Sequence, residues 1–160
     1  MNGIITSLSY KAEADYLQSE DLEILQNYTS SVKERLATYE VLRSREVDIF
    51  QPLVNRLIDT FPHESQEKIK LVLKHWISIL RYCGMAMLMD NSAYLQHRLL
   101  EWIHPQIQAY KIQSLENELF TRLDKQLKKK LSPEEFRLLQ PFLELAKQTL
   151  VKEPTSEALL

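Results

Sequence analysis

The most apolar stretch of the chain, residues 69–89, has a hydrophobic pattern that predicts a long buried helix. Its apolar side chains recur at steps of three and four residues, which places them on one helical face. They are Ile69, Val72, Leu73, Trp76, Ile79, Leu80 and Cys83. A stretch of roughly 20 residues is long enough to cross a bilayer, but Lys70, Lys74 and Arg81 interrupt it. Since a charge at the bilayer centre costs about 2.5–3.5 kcal/mol, we interpret the stretch as the central helix of a soluble helical domain.

The pattern before the central helix predicts a short amphipathic segment over residues 4–17 and a second helix that begins near Ser19. The Ser19 hydroxyl group can accept a free backbone N–H, so we expect this residue to be the N-cap. A longer helical region follows over residues 31–61. Pro52 lies inside this region and has no backbone donor, which predicts a kink or a break just before it.

The pattern after the central helix predicts three more helices. The first two cover residues 93–107 and 112–131. The third begins at a Ser-Pro-Glu-Glu motif, the clearest helix start in the chain, and runs to about residue 152. Ser132 is the predicted cap, the proline takes the first helical position where no N–H is needed, and Glu135 can return a hydrogen bond to the cap.

Composition narrows the fold class and the location. The chain of 160 residues has two glycines and six prolines. This is too few turn-forming residues for a fold rich in sheets, so we predict an all-α protein. A formal net charge of -2 gives no sign of nucleic-acid affinity. The single cysteine, Cys83, excludes an internal disulfide and fits a reducing compartment. Residues 1–15 lack the pattern of a secretory signal, so we expect a cytoplasmic protein without a transmembrane segment.

Polar residues suggest several kinds of site, and the sequence favours the simplest interpretation of each. Glu101 and His104 have the Glu-x-x-His spacing of di-iron helical bundles, but those sites need two such pairs and further carboxylates, so we predict no metal site. His97 and Glu101 are four residues apart and fit a surface hydrogen bond. Cys83 lies in the apolar stretch and is predicted to be a core thiol. No nucleophile, base and orienting group occur together, so we do not predict an enzyme.

Two blocks of the sequence carry motifs that can be compared with known families. The first is Ala14-Asp15-Tyr16-Leu17, followed by Asp21-Leu22-Glu23, Leu25 and Tyr28. The second is Leu80-Arg81-Tyr82, followed by Asp90-Asn91-Ser92-Ala93 and Arg98. In this order the blocks resemble the phycobiliprotein superfamily, the globin-like antenna proteins of cyanobacteria and red algae. The resemblance covers roughly residues 4–112.

The resemblance implies an all-α, globin-like (phycocyanin-like) fold with an N-terminal helical hairpin extension. It places the hairpin at residues 1–30 and the globin-like helical domain at residues 31–152. Residues 153–160 are predicted to be a frayed tail. We expect these parts to form a single domain overall.

The resemblance also implies that covalent pigment binding has been lost. In bilin-carrying members, a cysteine nine positions before the Arg of Leu-Arg-Tyr holds the chromophore through a thioether, and here Val72 stands at that position. The Arg-Asp pair of those members falls on Lys74 and His75. We therefore predict no cofactor. Two alternatives stay open: a bilin or other tetrapyrrole held without a covalent bond in a pocket of Val72, Lys74, His75 and Arg81, or a haem bound by His75.

In place of a pigment site, the resemblance implies a partner surface. In the family the first hairpin packs against a partner subunit. An acidic residue four before the aromatic of the first motif pairs there with the Arg of Leu-Arg-Tyr. Arg81 is present in this chain, whereas the acidic position is Ala12. The predicted partner-binding residues are Tyr16, Leu17, Leu22 and Leu25 on the hairpin, with Arg81 as a charged anchor.

The implied function is that of a non-chromophorylated phycobiliprotein-like binding protein. It would act in assembly, turnover or regulation of the photosynthetic antenna or a photosystem. Its expected partners are phycobiliprotein or photosystem subunits, in a homodimer or heterodimer, and no nucleic acid. We expect it in the cytoplasm, and at the thylakoid membrane only as a peripheral component of a protein complex.

Overall fold

The computed structural model describes residues 3–151, and this part of the chain is helical with no strand. The long helices are connected by short turns, and a π-helical turn, Gln96–Leu100, lies between the fourth and fifth α-helices of the chain. The helices are α1 Gly3–Ala14, α2 Ser19–Thr60, α3 Gln66–Met89, α4 Ser92–Leu95, α5 Glu101–Tyr110, α6 Gln113–Lys130 and α7 Pro133–Leu150. The prediction of an all-α fold is confirmed.

Helix α3 lies at the centre of the core, as its hydrophobic pattern predicts. Val72, Trp76, Ile79 and Cys83 have no exposed surface. The Trp76 ring packs against Phe120 of α6, with ring centroids 5.3 Å apart. The described residues contain no helix that is both long and apolar enough to span a membrane.

The C-terminus of α3 is held by a buried arginine from α2. Arg35 is 5% exposed, and its Nη1 donates to the carbonyl oxygens of Met87 at 3.3 Å and Leu88 at 2.9 Å. These carbonyl groups lie in the last turn of α3, where intrahelical donors run out. A cation is favourable there because the helix dipole places partial negative charge at that end.

Helix α2 is one continuous helix of 42 residues, about 63 Å long. The break predicted at Pro52 is wrong, because α2 passes through this residue. Pro52 cannot donate to the carbonyl oxygen of Asp48, one turn earlier. Gln126 of α6 supplies the missing donor, with its Nε2 at 3.3 Å from that oxygen. A side chain far away in the sequence thus compensates for the proline.

Residues 3–30, which we call the hairpin, comprise α1 and the first turns of α2, and an acidic side chain connects the two helices. Asp21 accepts a hydrogen bond from the backbone N–H of Gln18 at 3.0 Å and from Lys11 Nζ of α1 at 2.6 Å. The expected cap at Ser19 is wrong, because the N-cap is Gln18 and Ser19 is the first helical residue. The Asp21 carboxylate does the capping from within the first turn. The second helix of the hairpin continues into the body as α2.

Helix α7 begins as its motif predicts. The hydroxyl oxygen of Ser132 accepts from the backbone N–H of Glu135 at 3.2 Å. The Glu135 carboxylate accepts from the backbone N–H of Ser132 at 2.8 Å. The capping box is therefore confirmed. The predicted frayed tail, residues 153–160, lies outside the described residues.

Candidate functional site

The hairpin presents apolar side chains to solvent. Of the residues predicted to contact a partner, Tyr16 is 91% exposed and Leu22 is 46% exposed, while Leu17 and Leu25 are half-buried. Tyr10 and Ile24 are also exposed, although neither was among the residues predicted to contact a partner. Exposed apolar side chains concentrated in one short segment of the chain are typical of a surface that another molecule covers.

A groove of about 310 Å³ lies between α2 and α3. Its floor is mostly apolar, and charged groups lie at its rim. It is lined by Tyr39, Leu42, Arg43, Glu46, Leu80, Arg81 and Gly84. A Cβ atom at Gly84 would lie 3.3 Å from the Tyr39 ring, so glycine allows α2 and α3 to approach closely here.

At the rim of the groove, Arg81 and Glu46 form a bidentate ion pair. Arg81 Nε and Nη2 donate to the two Glu46 carboxylate oxygens at 2.7 and 2.6 Å. The hydrogen bonds that Arg81 donates to the Glu46 carboxylate raise the pKa of Arg81, which keeps the guanidinium charged. The predicted anchor Arg81 therefore already has a carboxylate partner within its own chain. Arg43, on the same groove, has no hydrogen-bond or ion-pair partner among residues 3–151.

The residues of the predicted tetrapyrrole pocket do not line one cavity. Val72 and His75 are buried in the core, at 0 and 5% exposure. Lys74 lies between them in sequence and is exposed to solvent. Arg81 lies at the groove and is paired with Glu46. The four side chains thus divide among the core, the solvent and the groove.

The His75 imidazole is held inside the core by two side chains. Its Nδ1 lies 2.6 Å from Glu116 Oε1 of α6, and its Nε2 lies 3.4 Å from Gln106 Oε1 of α5. Both ring nitrogens of His75 therefore have a polar partner inside the core.

Burial raises the pKa of the Glu116 carboxyl group, and the hydrogen bond from His75 acts in the opposite direction. The Trp76 indole N–H also lowers this pKa, although its geometry is not that of a regular hydrogen bond. Glu116 has no exposed surface. Sequence reasoning missed this residue. The available signal is a carboxylate next to Leu115, at a position where the apolar pattern of α6 faces the core.

Two further polar candidates, the His97–Glu101 pair and Cys83, have the arrangements that the sequence predicts. His97 Nδ1 and Glu101 Oε1 form the expected surface hydrogen bond at 2.8 Å. Cys83 is a buried core thiol, and burial raises its pKa. No group of three or more His, Cys, Asp or Glu residues able to hold a metal ion occurs within residues 3–151.

Comparison with known families extends the resemblance to most of the chain. The family model described as Phycobilisome protein matches residues 7–150. The match continues past residue 112, where the motif-based resemblance ended, and includes α6 and α7. A search of the curated proteins finds no match. The family match confirms both the resemblance and the globin-like, all-α fold that it implied. This chain belongs to the phycobilisome protein family, whose members are structural light-harvesting proteins.

Proposed function

We propose that this chain is a pigment-free member of the family that binds antenna or photosystem subunits and acts in their assembly, turnover or regulation. One observation carries the proposal. The position that the resemblance assigns to the chromophore cysteine holds Val72, whose side chain is fully buried. Valine has no sulfur for a thioether, so a dye cannot be attached covalently at this position.

The surroundings of Val72 support the same interpretation. A bilin needs an open pocket and polar partners for its propionates and ring N–H groups. Here the neighbouring Trp76 fills the core, and His75 is already paired with Glu116 at 2.6 Å. Lys74 is exposed to solvent. The burial of Val72 and the pairing of His75 with Glu116 both support a protein that works without a pigment.

The contact surfaces of the proposal are the hairpin and the groove between α2 and α3. Burying the 46% of Leu22 that is exposed would contribute on the order of 1 kcal/mol. The exposed Tyr16 is of a residue type that often dominates binding energy. These surfaces fit a protein whose work is done by contacts with other subunits.

The two carrier alternatives draw no support from this geometry. His75 is 5% exposed, and both of its ring nitrogens already face side-chain partners, Glu116 Oε1 and Gln106 Oε1, so a haem iron would have to displace one of them. A non-covalent bilin would have to displace core side chains. We therefore keep one proposed function.

The experiment has a pigment arm and a binding arm. The tagged chain is produced in cells that make bilins, purified, and measured for visible absorption. It is then used to capture subunits from a phycobilisome preparation, and the captured chains are identified by mass spectrometry. We expect a colourless protein that retains phycobiliprotein subunits.

Variants connect capture to the hairpin. Leu22→Glu combined with Leu25→Glu should abolish capture, because two charges would enter an apolar contact. The matched control is Trp102→Glu, on the exposed face of α5, where the side chain is 72% exposed. Capture should survive this change. A visible band that resists denaturation, or capture that survives the folded double variant, would reject the proposal.

A further inference from the structure

A cavity of about 260 Å³ lies where the N-terminal half of α2 and the C-terminal end of α3 meet the first turns of α7. It shares no lining residue with the groove between α2 and α3. Its apolar walls come from α3 and α7 and are formed by Met87, Leu138, Pro141 and Phe142. Ligand sites in proteins are mostly apolar cavities with a few polar groups that fix the orientation of the ligand. The question is therefore which polar groups this cavity offers.

Arg35 brings a buried positive charge to the cavity. It is 5% exposed, and its Nε and Nη1 donate to carbonyl oxygens of Ser31 at 3.3 Å and of Met87 and Leu88 at 3.3 and 2.9 Å. Its Nη2 has no hydrogen-bond partner among residues 3–151 and is not fully enclosed by protein. No carboxylate of the described residues forms an ion pair with Arg35. Since buried charges are normally paired, one side of this guanidinium group is left for an anion.

Arg137 of α7 supplies a second cation. Its side chain is exposed, lines the same cavity and has no ion-pair partner within the described part of the chain. Asp90 is the acidic residue among the described residues that line the cavity. Two positive charges and one negative charge give the lining a net charge of +1. Guanidinium groups bind carboxylates through charged, often paired hydrogen bonds, so two arginines beside an apolar wall suit an acid with an apolar body.

We propose that this cavity binds a small organic carboxylate. The carboxylate accepts hydrogen bonds from Arg35 Nη2 and from the Arg137 guanidinium group, and the apolar body packs against Leu138 and Phe142. The apolar walls favour an organic acid over an inorganic anion, which would leave them in contact with water. Sites for drug-sized ligands enclose about 300–1,000 Å³. A cavity of about 260 Å³ therefore suits a smaller molecule with one ring or a short chain.

The ligand would connect three helices. Arg35 of α2 already holds the carbonyl groups at the end of α3, and Arg137 belongs to α7. A carboxylate between the two arginines adds a contact that exists only in the folded chain. Since a ligand that binds the folded state alone stabilises it by mass action, the acid should raise the melting temperature as its concentration rises. The site acts independently of the hairpin and its partner.

NMR titration of the isotope-labelled full chain with phenylacetate at pH 7 tests the proposal. We expect saturable shifts of the backbone amide signals around the cavity and a dissociation constant of about 1 mM or tighter. Phenylacetamide has the same ring without the charge and should bind at least about tenfold more weakly. Inorganic phosphate, added at the same concentration as phenylacetate, should not displace it.

Variants locate the binding site. Arg137→Gln should raise the dissociation constant about 10- to 100-fold, because a charged hydrogen bond is lost. Leu138→Trp keeps both arginines and fills the cavity, so it should abolish binding. The matched control is Arg56→Gln, an equal change of charge at an exposed residue of α2 that does not line the cavity. This control should leave the dissociation constant unchanged, and circular dichroism verifies that all three variants fold.

Three results would overturn the proposal. The first is the absence of saturable shifts up to about 10 mM phenylacetate. The second is equal binding of phenylacetamide, or displacement by phosphate, either of which would exclude an organic carboxylate as the preferred ligand. The third is an equal response of Arg137→Gln and Arg56→Gln, which would show that phenylacetate responds to the charge of the whole chain and not to this cavity.

Discussion

The two halves of α2 bury opposite kinds of side chain, although they belong to one helix. In the C-terminal half the buried residues are apolar: Leu42, Ile49, Phe50, Leu53 and Leu57. In the N-terminal half they are polar: Asp21, Arg35 and Thr38. The apolar residues of that half, such as Leu22 and Leu36, are exposed instead. The C-terminal half thus contributes to folding through the core, while the N-terminal half is held by polar contacts and leaves apolar side chains exposed to solvent.

Matched substitutions in the two halves should produce the largest difference. Leu57 has no exposed surface, and Leu57→Ala should lower the free energy of unfolding by about 2–5 kcal/mol. Leu22→Ala, the same chemical change in the exposed half, should stay within about 0.5 kcal/mol. Urea unfolding, followed by circular dichroism at a concentration where the chain is monomeric, measures both. Equal losses in the two variants would show that the halves are packed alike.

The buried pair of His75 and Glu116 in the globin-like domain tests how much a polar contact contributes to stability in the core. His75→Leu leaves the Glu116 carboxyl group buried without its partner and should destabilise the protein by about 3 kcal/mol. Replacing both residues by leucine should recover most of this loss, because no unpaired polar group remains. Urea unfolding of the single and double variants gives the two values.

The control for this pair is Lys74→Leu. Lys74 precedes His75 in α3 and is exposed, so its replacement should change the free energy of unfolding little. A double variant that is as unstable as His75→Leu would mean that the loss comes from repacking and not from the unpaired carboxyl group.

Local signals in the sequence predicted the helices well and the polar contacts between helices poorly. The pattern of residues 69–89 and the Ser132 cap depend on neighbours within a few residues, so both could be found by reading along the chain. The donor that compensates for Pro52 comes from Gln126 of another helix. Glu116 meets His75 across 41 residues of sequence. No local pattern specifies such a pairing.

The candidate site shows the same difference between features that a local sequence pattern predicts and contacts that form between helices. The hairpin residues were predicted from the family resemblance, and two of them, Tyr16 and Leu22, are exposed, while their contact with a partner stays a prediction. The ion pair of Arg81 with Glu46 could not be predicted, since the two residues lie on different helices. The family resemblance directed attention to a partner's carboxylate for Arg81, and the structure shows one inside the chain. The unpaired cation of the groove, Arg43, became apparent only once this pair was seen.

Two buried carboxyl groups should respond to pH with opposite sign, one in each region. The hydrogen bond from Lys11 lowers the pKa of Asp21 in the hairpin below its ordinary value of 3.8. Burial raises the pKa of Glu116 in the body above its ordinary value of 4.5. The stabilisation from ionised Asp21 is thus present above pH 3.8 and is lost as the pH falls through its folded pKa. The stabilisation linked to protonated Glu116 is full below pH 4.5 and is lost as the pH rises through its folded pKa.

Carboxyl-carbon NMR of chains labelled at aspartate and glutamate measures both midpoints in the folded protein. Asp21 should titrate below 3.8 and Glu116 above 4.5. Lys11→Met should move the Asp21 midpoint upward, because the charged hydrogen bond is removed, and should leave the Glu116 midpoint unchanged. If the Asp21 titration midpoint is the same in the Lys11→Met variant, the ion pair between Lys11 and Asp21 does not connect α1 to α2 in solution. The N-terminal half of α2 would then lack the polar contact that orients its apolar face.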